Sequence, residues 1–488
     1  MGGFAPKDGT DCSIPPKFRF FDCDFAIEYS SKGMYRNLEK GTLRLLRRLA
    51  LECLACGLLT PHILAQTRPV AAETVGKYTG PGSCASTSCH GSVLPRSEND
   101  VLQNEYSTWI VKDKHSKAYN ALTGTVGERI ASLLNLGKAE TAPRCLACHS
   151  LNPPPEQRSR SFDLSEGVSC ETCHGPASGW LGPHTERGFT YEKSAALGMY
   201  DVRDVTKRTE KCLGCHLGWE DKYVDHEMIA AGHPMLQFEL DSFSAVMPRH
   251  WKDTATPLDS ERGDPLYEVR EMTVGQAVHL RQSLLWLASR TRGKNWPEYS
   301  ELQCEACHHS LTPPEQSWRQ ARGYPGRRPG DPPWNASRHT VFREIAHQLD
   351  GTDAEQLDSS VAQLAKLMSQ LNPDREAVAS AATNSARAAD ALAAKIRSAN
   401  YDAATALRTL QKISGDAEEV SAQGEQSAAQ AAMVLQSLFA ACDRNQKLQN
   451  SAEVRSAITG LFEQLQNLSA YDPARFTEAM RRVNALVR

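Results

Sequence analysis

Ten of the chain's fifteen cysteines fall into five pairs, and a histidine follows the second thiol of every pair. Four pairs share the spacing Cys-x-x-Cys-His: Cys145/Cys148/His149, Cys170/Cys173/His174, Cys212/Cys215/His216 and Cys304/Cys307/His308. The remaining pair opens the series, in Cys84-Ala85-Ser86-Thr87-Ser88-Cys89-His90, with four residues between its thiols. At this content of Cys and His, about 0.01 matches to the shorter pattern are expected by chance. A disulfide framework gives no reason for a histidine after each second cysteine, and a zinc knuckle gives no reason for a series.

Two thiols at this separation can each add to one vinyl group of a porphyrin, and the imidazole that follows then reaches the iron from below. The spacing therefore predicts haem c at five sites, numbered here in chain order. The attachment residues are the ten cysteines named, and the proximal ligands are His90, His149, His174, His216 and His308. At the first site the extra residues can bulge while the thiols keep their reach. A chain that encloses several macrocycles builds its core on their faces, because each offers more apolar area than any side chain. The region carrying the motifs has few alternating strand patterns and many loops, such as Pro153-Pro154-Pro155 and the Gly/Pro-rich 323–330. The expected fold class is mainly α: helices and loops around stacked haems, plus a C-terminal helical bundle.

Composition divides the chain into four parts. Residues 1–33 show neither helical nor strand period and are expected to be a non-native extension. Residues 34–66 place Arg36, Lys40, Arg44, Arg47 and Arg48 before an apolar stretch from Leu49 to Ala65. That order predicts a signal peptide or N-terminal anchor, and with it a periplasmic or otherwise extracytoplasmic location. Within it, Cys53 and Cys56 are followed by Gly57 rather than histidine, so they do not form a haem site. Residues 67–347 form the multihaem region. Residues 348–488, rich in Ala, Gln, Leu and Ser, are expected to form an antiparallel helical bundle. Its helices are predicted at 354–371, 374–399, 402–414, 416–444, 451–469 and 473–487, with Asp353, Asp416, Ser451 and Asp472 as caps. A net charge of −3 gives no footprint for a polyanion, which argues against nucleic acid as a partner.

Each iron also needs a ligand on its distal side. With the five proximal histidines and His62 set aside, nine remain: His115, His184, His226, His233, His250, His279, His309, His339 and His347. Such an excess predicts bis-histidine ligation of several haems. His115, His184, His226 and His233 are the leading candidates. His184 follows a Gly/Pro-rich loop that could carry it to a neighbouring haem. His226 and His233 are seven apart and are expected on one helix face, ended by Pro234, where they could serve two different irons.

Several segments resemble the cytochrome c-554-type multihaem family. These are Tyr78-Thr79-Gly80 before the first motif, Glu105-Tyr106 through Lys114-His115-Ser116-Lys117-Ala118, and Gly167-Val168-Ser169-Cys170-Glu171-Thr172-Cys173-His174-Gly175-Pro176. The stretch from Val224 to Pro234 is similar to one in its relatives. The resemblance covers about residues 76–345. It implies closely stacked haem pairs, a largely helical structure, extracytoplasmic electron transfer in the nitrogen-oxide and hydroxylamine sphere, and distal ligation at His115, His184 and His233. A count of five haem motifs rather than four, the longer first motif and the C-terminal helices depart from the family.

Two functional classes follow. One is an electron carrier between a donor and an acceptor protein. The other is an enzyme in which one haem keeps an open face for a small nitrogen or sulfur oxyspecies such as hydroxylamine, nitric oxide or nitrite. A Cys-x-x-Cys-Lys motif is absent, which favours the carrier. The C-terminal bundle could dock a partner, and an uncleaved N-terminus could hold the protein at a membrane.

Overall fold

The computed structural model describes residues 76–488 except 97, 99–100, 252–265, 305–306, 309–330, 447, 449 and 468–470. The expected extension and leader, His309 and the 323–330 loop lie outside the described residues. The described residues form one compact unit. They are 65% helix, which bears out the mainly α expectation. Among the described residues the only β pairing is isolated bridges, such as Tyr78 with Arg158 and Leu302 with Trp334. No helix among them is long and apolar enough to cross a membrane.

The first part of the chain is made of short helices: α1 Glu105–Lys112, α2 Thr125–Leu133, α3 Pro143–His149, α4 Cys170–His174, α5 Tyr191–Ala196, α6 Val205–His216, α7 His226–Ala230 and α8 Leu240–Val246. Longer ones follow: α9 Tyr267–Arg290, α10 Ser337–Leu349, α11 Gly351–Met368, α12 Arg375–Ser398, α13 Ala403–Gly415, α14 Ala417–Ala422, α15 Glu425–Gln446, α16 Ser451–Gln464 and α17 Pro473–Val487. Protein core is scarce among the short helices. One small cluster there gathers Leu122, Ala131, Ala139, Ala142, Cys145 and Leu146. The main core runs through α9 to α17 and includes Met272, Leu280, Leu284, Phe342, Leu392, Leu435 and Phe476.

Helix α9 is the hub. Arg270 donates to the carbonyls of Arg397 and Ala399, Arg281 reaches Asp390, and Arg375 donates to the carbonyls of Thr291 and Gly293. Rising numbers on α9 thus meet falling numbers on α12, so the two helices lie antiparallel. On its other side α9 meets α8 at Gly275, where a Cβ would stand 2.8 Å from Leu240 Cβ.

Caps fix where the helices start, because their first amide groups lack partners within the helix. Asp374, Asp402 and Asp472 cap α12, α13 and α17 by accepting from backbone amides. Four details differ from the sequence expectation, the first being that Ser451 opens α16 as its first helical residue, after Asn450, and caps nothing. Asp350 rather than Asp353 caps α11, so that helix starts and ends a turn early. The span 416–444 is two helices, because Gly424 adopts φ 90° between α14 and α15. Asp416 makes no cap bond and pairs with Arg343.

Candidate haem sites

Three of the five motifs end a helix at the histidine. His149, His174 and His216 close α3, α4 and α6. One helical turn puts positions i, i+3 and i+4 on one face, so both thiols and the imidazole emerge together. The first motif reaches a similar placement with a loop. Its extra residues form a turn in which Cys89 N donates to Ser86 O, while His90 N still donates to Cys84 O at 3.2 Å. That turn requires Gly91, where a Cβ would fall 1.9 Å from Ala85 O.

Four proximal histidines face a second imidazole. The ring centres of His90 and His184 are 6.2 Å apart, those of His216 and His115 6.2 Å, those of His149 and His233 6.3 Å, and those of His308 and His226 6.1 Å. A metal–imidazole bond of about 2 Å, plus roughly 1.1 Å from ring nitrogen to ring centre, separates two axial rings by about 6.2 Å. All four leading distal candidates thus lie at the spacing an iron between two imidazoles needs.

Second partners orient many of these rings. A ligating histidine binds through one nitrogen and normally donates from the other to a carboxylate or carbonyl. His90 Nδ1 meets Glu105 Oε2 at 2.9 Å and His115 Nδ1 meets Asp113 Oδ1 at 3.0 Å. The Nδ1 atoms of His149, His184 and His233 meet the carbonyls of Ala118 at 2.9 Å, Leu181 at 2.6 Å and Pro234 at 2.7 Å. Each arrangement leaves Nε2 for a metal. His216 is held by packing, with Phe238 and Phe243 at 5.3 and 5.1 Å. Burial pushes His174 and His216 down to about 4, which keeps both imidazoles neutral as ligation requires.

The other histidines sort by the same criterion. His339 and His347 commit Nε2 to the two oxygens of Asp358, at 2.8 and 2.7 Å. His279 Nε2 accepts from Arg338 Nε at 2.9 Å. His250, edge-on to Trp251, keeps Nε2 free among the described residues, since its Nδ1 meets the Pro248 carbonyl at 3.3 Å, and it lies in the electrostatic field of His174 without stacking on it. The proximal His174 faces no second imidazole at axial spacing among the described residues. His226 and His233 do not share a helix, contrary to expectation. Helix α7 stops at Ala230, and Gly232 at φ 108° turns the chain so that the two rings meet different partners.

The motifs also lie beside one another. The thiols of Cys84 and Cys170 are within hydrogen-bonding reach, as are those of Cys148 and Cys215, and Cys173 lies in the electrostatic field of Cys212. The attachment sites therefore adjoin in the order first, third, fourth, second. An open cleft lies against Cys148 and Cys215. Another is lined by Met235, whose Sδ is 3.8 Å from Cys304 Sγ. The donor set and the paired imidazoles fit haem.

Sequence reasoning did not single out Glu171, which sits between Cys170 and Cys173 and is 1% exposed. Its carboxylate accepts from the amides of Thr79, Gly80 and Ala177 at 2.9, 2.7 and 2.7 Å. It thereby ties the start of the described chain to the third motif. Glu105 and Asp113 were also missed as imidazole partners. The Cys-x-x-Cys-His pattern carries no signal for any of the three.

Comparison with known proteins points the same way. Residues 83–175 match the model of the family described as cytochrome c554 and c-prime. The chain is 25% identical over 181 residues to a protein named cytochrome c-554 from Nitrosomonas europaea, an alignment covering 34% of this chain and 69% of that one. No solved structure matches the chain.

Proposed function

We propose that this chain, similar to the cytochrome c-554 family over residues 83–175, is a five-haem electron carrier between extracytoplasmic redox proteins. One observation carries this reading: four proximal histidines each face a distal histidine at 6.1–6.3 Å. Bound haem c supplies a one-electron iron couple, with ligation and surroundings setting its potential. The chain's residues supply the rest. The cysteines would anchor the porphyrins, and the pairs His90/His184, His149/His233, His216/His115 and His308/His226 would hold four irons between two imidazoles each. Irons held so would suit electron transfer, because no substrate could reach the metal. Attachment sites that adjoin one another suit a relay. The signal expected over 34–66 supports an extracytoplasmic setting.

A second reading rests on His174. With no imidazole facing it at axial spacing among the described residues, the third site is where an open face, and so an enzyme acting on a small nitrogen oxyspecies, would be found. Electron paramagnetic resonance of the purified ferric protein separates the two. All haems low-spin is the carrier's outcome. A high-spin haem that binds nitric oxide or hydroxylamine would sink the pure carrier. A pyridine haemochrome assay is expected to give five haems per chain, and four would remove one of the sites.

A further inference from the structure

The cavity beside the fifth motif is lined with hydrogen-bond donors that have too few acceptors. Leu217, Ile229 and Met235 give it apolar walls, and Trp286, Arg290 and Arg338 bring N–H groups to it. Arg290 is satisfied by Glu301 at 3.2 Å and by Ser300 Oγ at 2.9 Å. Arg338 is not. Its Nε donates to His279 Nε2, and no carboxylate pairs with its guanidinium among the described residues. Since that nitrogen of His279 accepts, the imidazole proton is on Nδ1, which is buried without a partner. The indole N–H of Trp286 is buried without a partner too.

Glu301 in the pocket wall is bonded to Arg290 and acts on Arg338 only through space. A half-buried guanidinium with no carboxylate bonded to it is costly, and planar N–H forks suit carboxylates best. The pocket therefore calls for a carboxylate. The Cys304 thiol stands 3.8 Å from Met235 in the cavity wall, so a haem attached there carries its own carboxylates into this space. The C-terminal helices close the pocket. Gln426 of α15 lines it, donates to Met235 Sδ at 3.6 Å and accepts from Asn335 Nδ2 at 2.7 Å.

We propose that Arg338, steered by His279, binds a propionate of the haem attached at Cys304 and Cys307, in a pocket that the C-terminal helices complete. This rests on the five-haem reading above. His279 is then a positioning residue rather than an axial ligand. The region 348–488 gains a function in the same step: α15 walls in the haem attached at the fifth motif.

The test is a haem-resolved redox titration of the full holoprotein, with the fifth-site signal identified as the one displaced in His226→Met. A nearby positive charge disfavours ferric iron, so Arg338→Gln is expected to lower the midpoint potential of that haem alone. Arg338→Lys is expected to retain most of the wild-type value. His279→Leu frees Arg338 from its one hydrogen-bond partner among the described residues and is expected to shift the same signal, which keeps the test decisive if Arg338→Gln does not fold. Unchanged potentials in the folded variants, or a shift falling on another haem, would overturn the proposal. A haemochrome count on the unsubstituted protein is read first. A value of four with alkylatable Cys304 and Cys307 ends the five-haem reading, and this one with it, before any variant is made.

Discussion

At the scale of single residues, what distinguishes one imidazole from another is the acceptor behind it. His90 and His115 lean on carboxylates, while His149, His184 and His233 lean on carbonyls. A carboxylate makes the ring a stronger donor and stabilises ferric iron. Glu105→Gln is accordingly expected to raise the potential of the first-site haem, read by redox titration against the unchanged remainder. Glu171 acts on the chain instead. Glu171→Ala strands the amides of Thr79, Gly80 and Ala177. It should cost about 3 kcal/mol in chemical denaturation, with Glu171→Gln milder. The cysteines and proximal histidines could be read from spacing because the chemistry fixes their order in the chain. The carboxylates could not. Glu105 reaches His90 across 15 residues through a fold that the motif does not encode.

At the scale of elements, small residues set how closely helices approach. Gly275 on α9 sits against Leu240 of α8, where a methyl group would meet Leu240 Cβ at 2.8 Å. Gly460 on α16 has nothing within 4 Å of the same position. Glycine in a helix is unfavourable by roughly 0.5–1 kcal/mol relative to alanine. Gly460→Ala should therefore stabilise by up to that amount. Gly275→Ala should destabilise by about 1–2 kcal/mol, because overpacking outweighs propensity. Thermal melts of the two variants should move in opposite directions. The C-terminal helices were legible because aspartate caps and apolar periodicity are local signals, as at Asp374 and Asp472. The break at Gly424 was missed because the apolar positions continue across it. The joint face of His226 and His233 failed for a similar reason. Pro234 was read as the stop, whereas Gly232 had already turned the chain.

At the scale of the whole molecule, buried carboxylates give stability a slope with pH. Asp241 is 8% exposed at the start of α8. Burial, aided by neighbouring Glu239, pushes it from 3.8 up to about 8. Between those values the folded protein holds a proton that the unfolded chain releases. The contribution is thus fully present below about 3.8, declines as pH rises, and is gone above about 8. Its slope is at most about 1.4 kcal/mol per pH unit for one proton. Denaturation series across this range should show the decline, and Asp241→Asn should flatten it. The mainly α class was legible because haem faces replace β-structure as the source of core. The way α9 joins α8 to α12 was not, since no local pattern states which helices are neighbours.

The facing imidazoles have a consequence for how the protein is made. On the proposed pairing, each axial partner follows or precedes its mate by roughly 80–100 residues, and the spans interleave, with 90–184 overlapping 115–216, 149–233 and 226–308 following in turn. No ligand pair can close until a long stretch of later chain has emerged, and by then the next span is already open. Maturation is thus a matter of timing. Thioether bonds can form one motif at a time, whereas the second axial bonds close late and nearly together. A stalled or clipped chain ending near residue 200 would carry three tethered haems with only the first pair of histidines complete, leaving exposed iron that quality control could recognise.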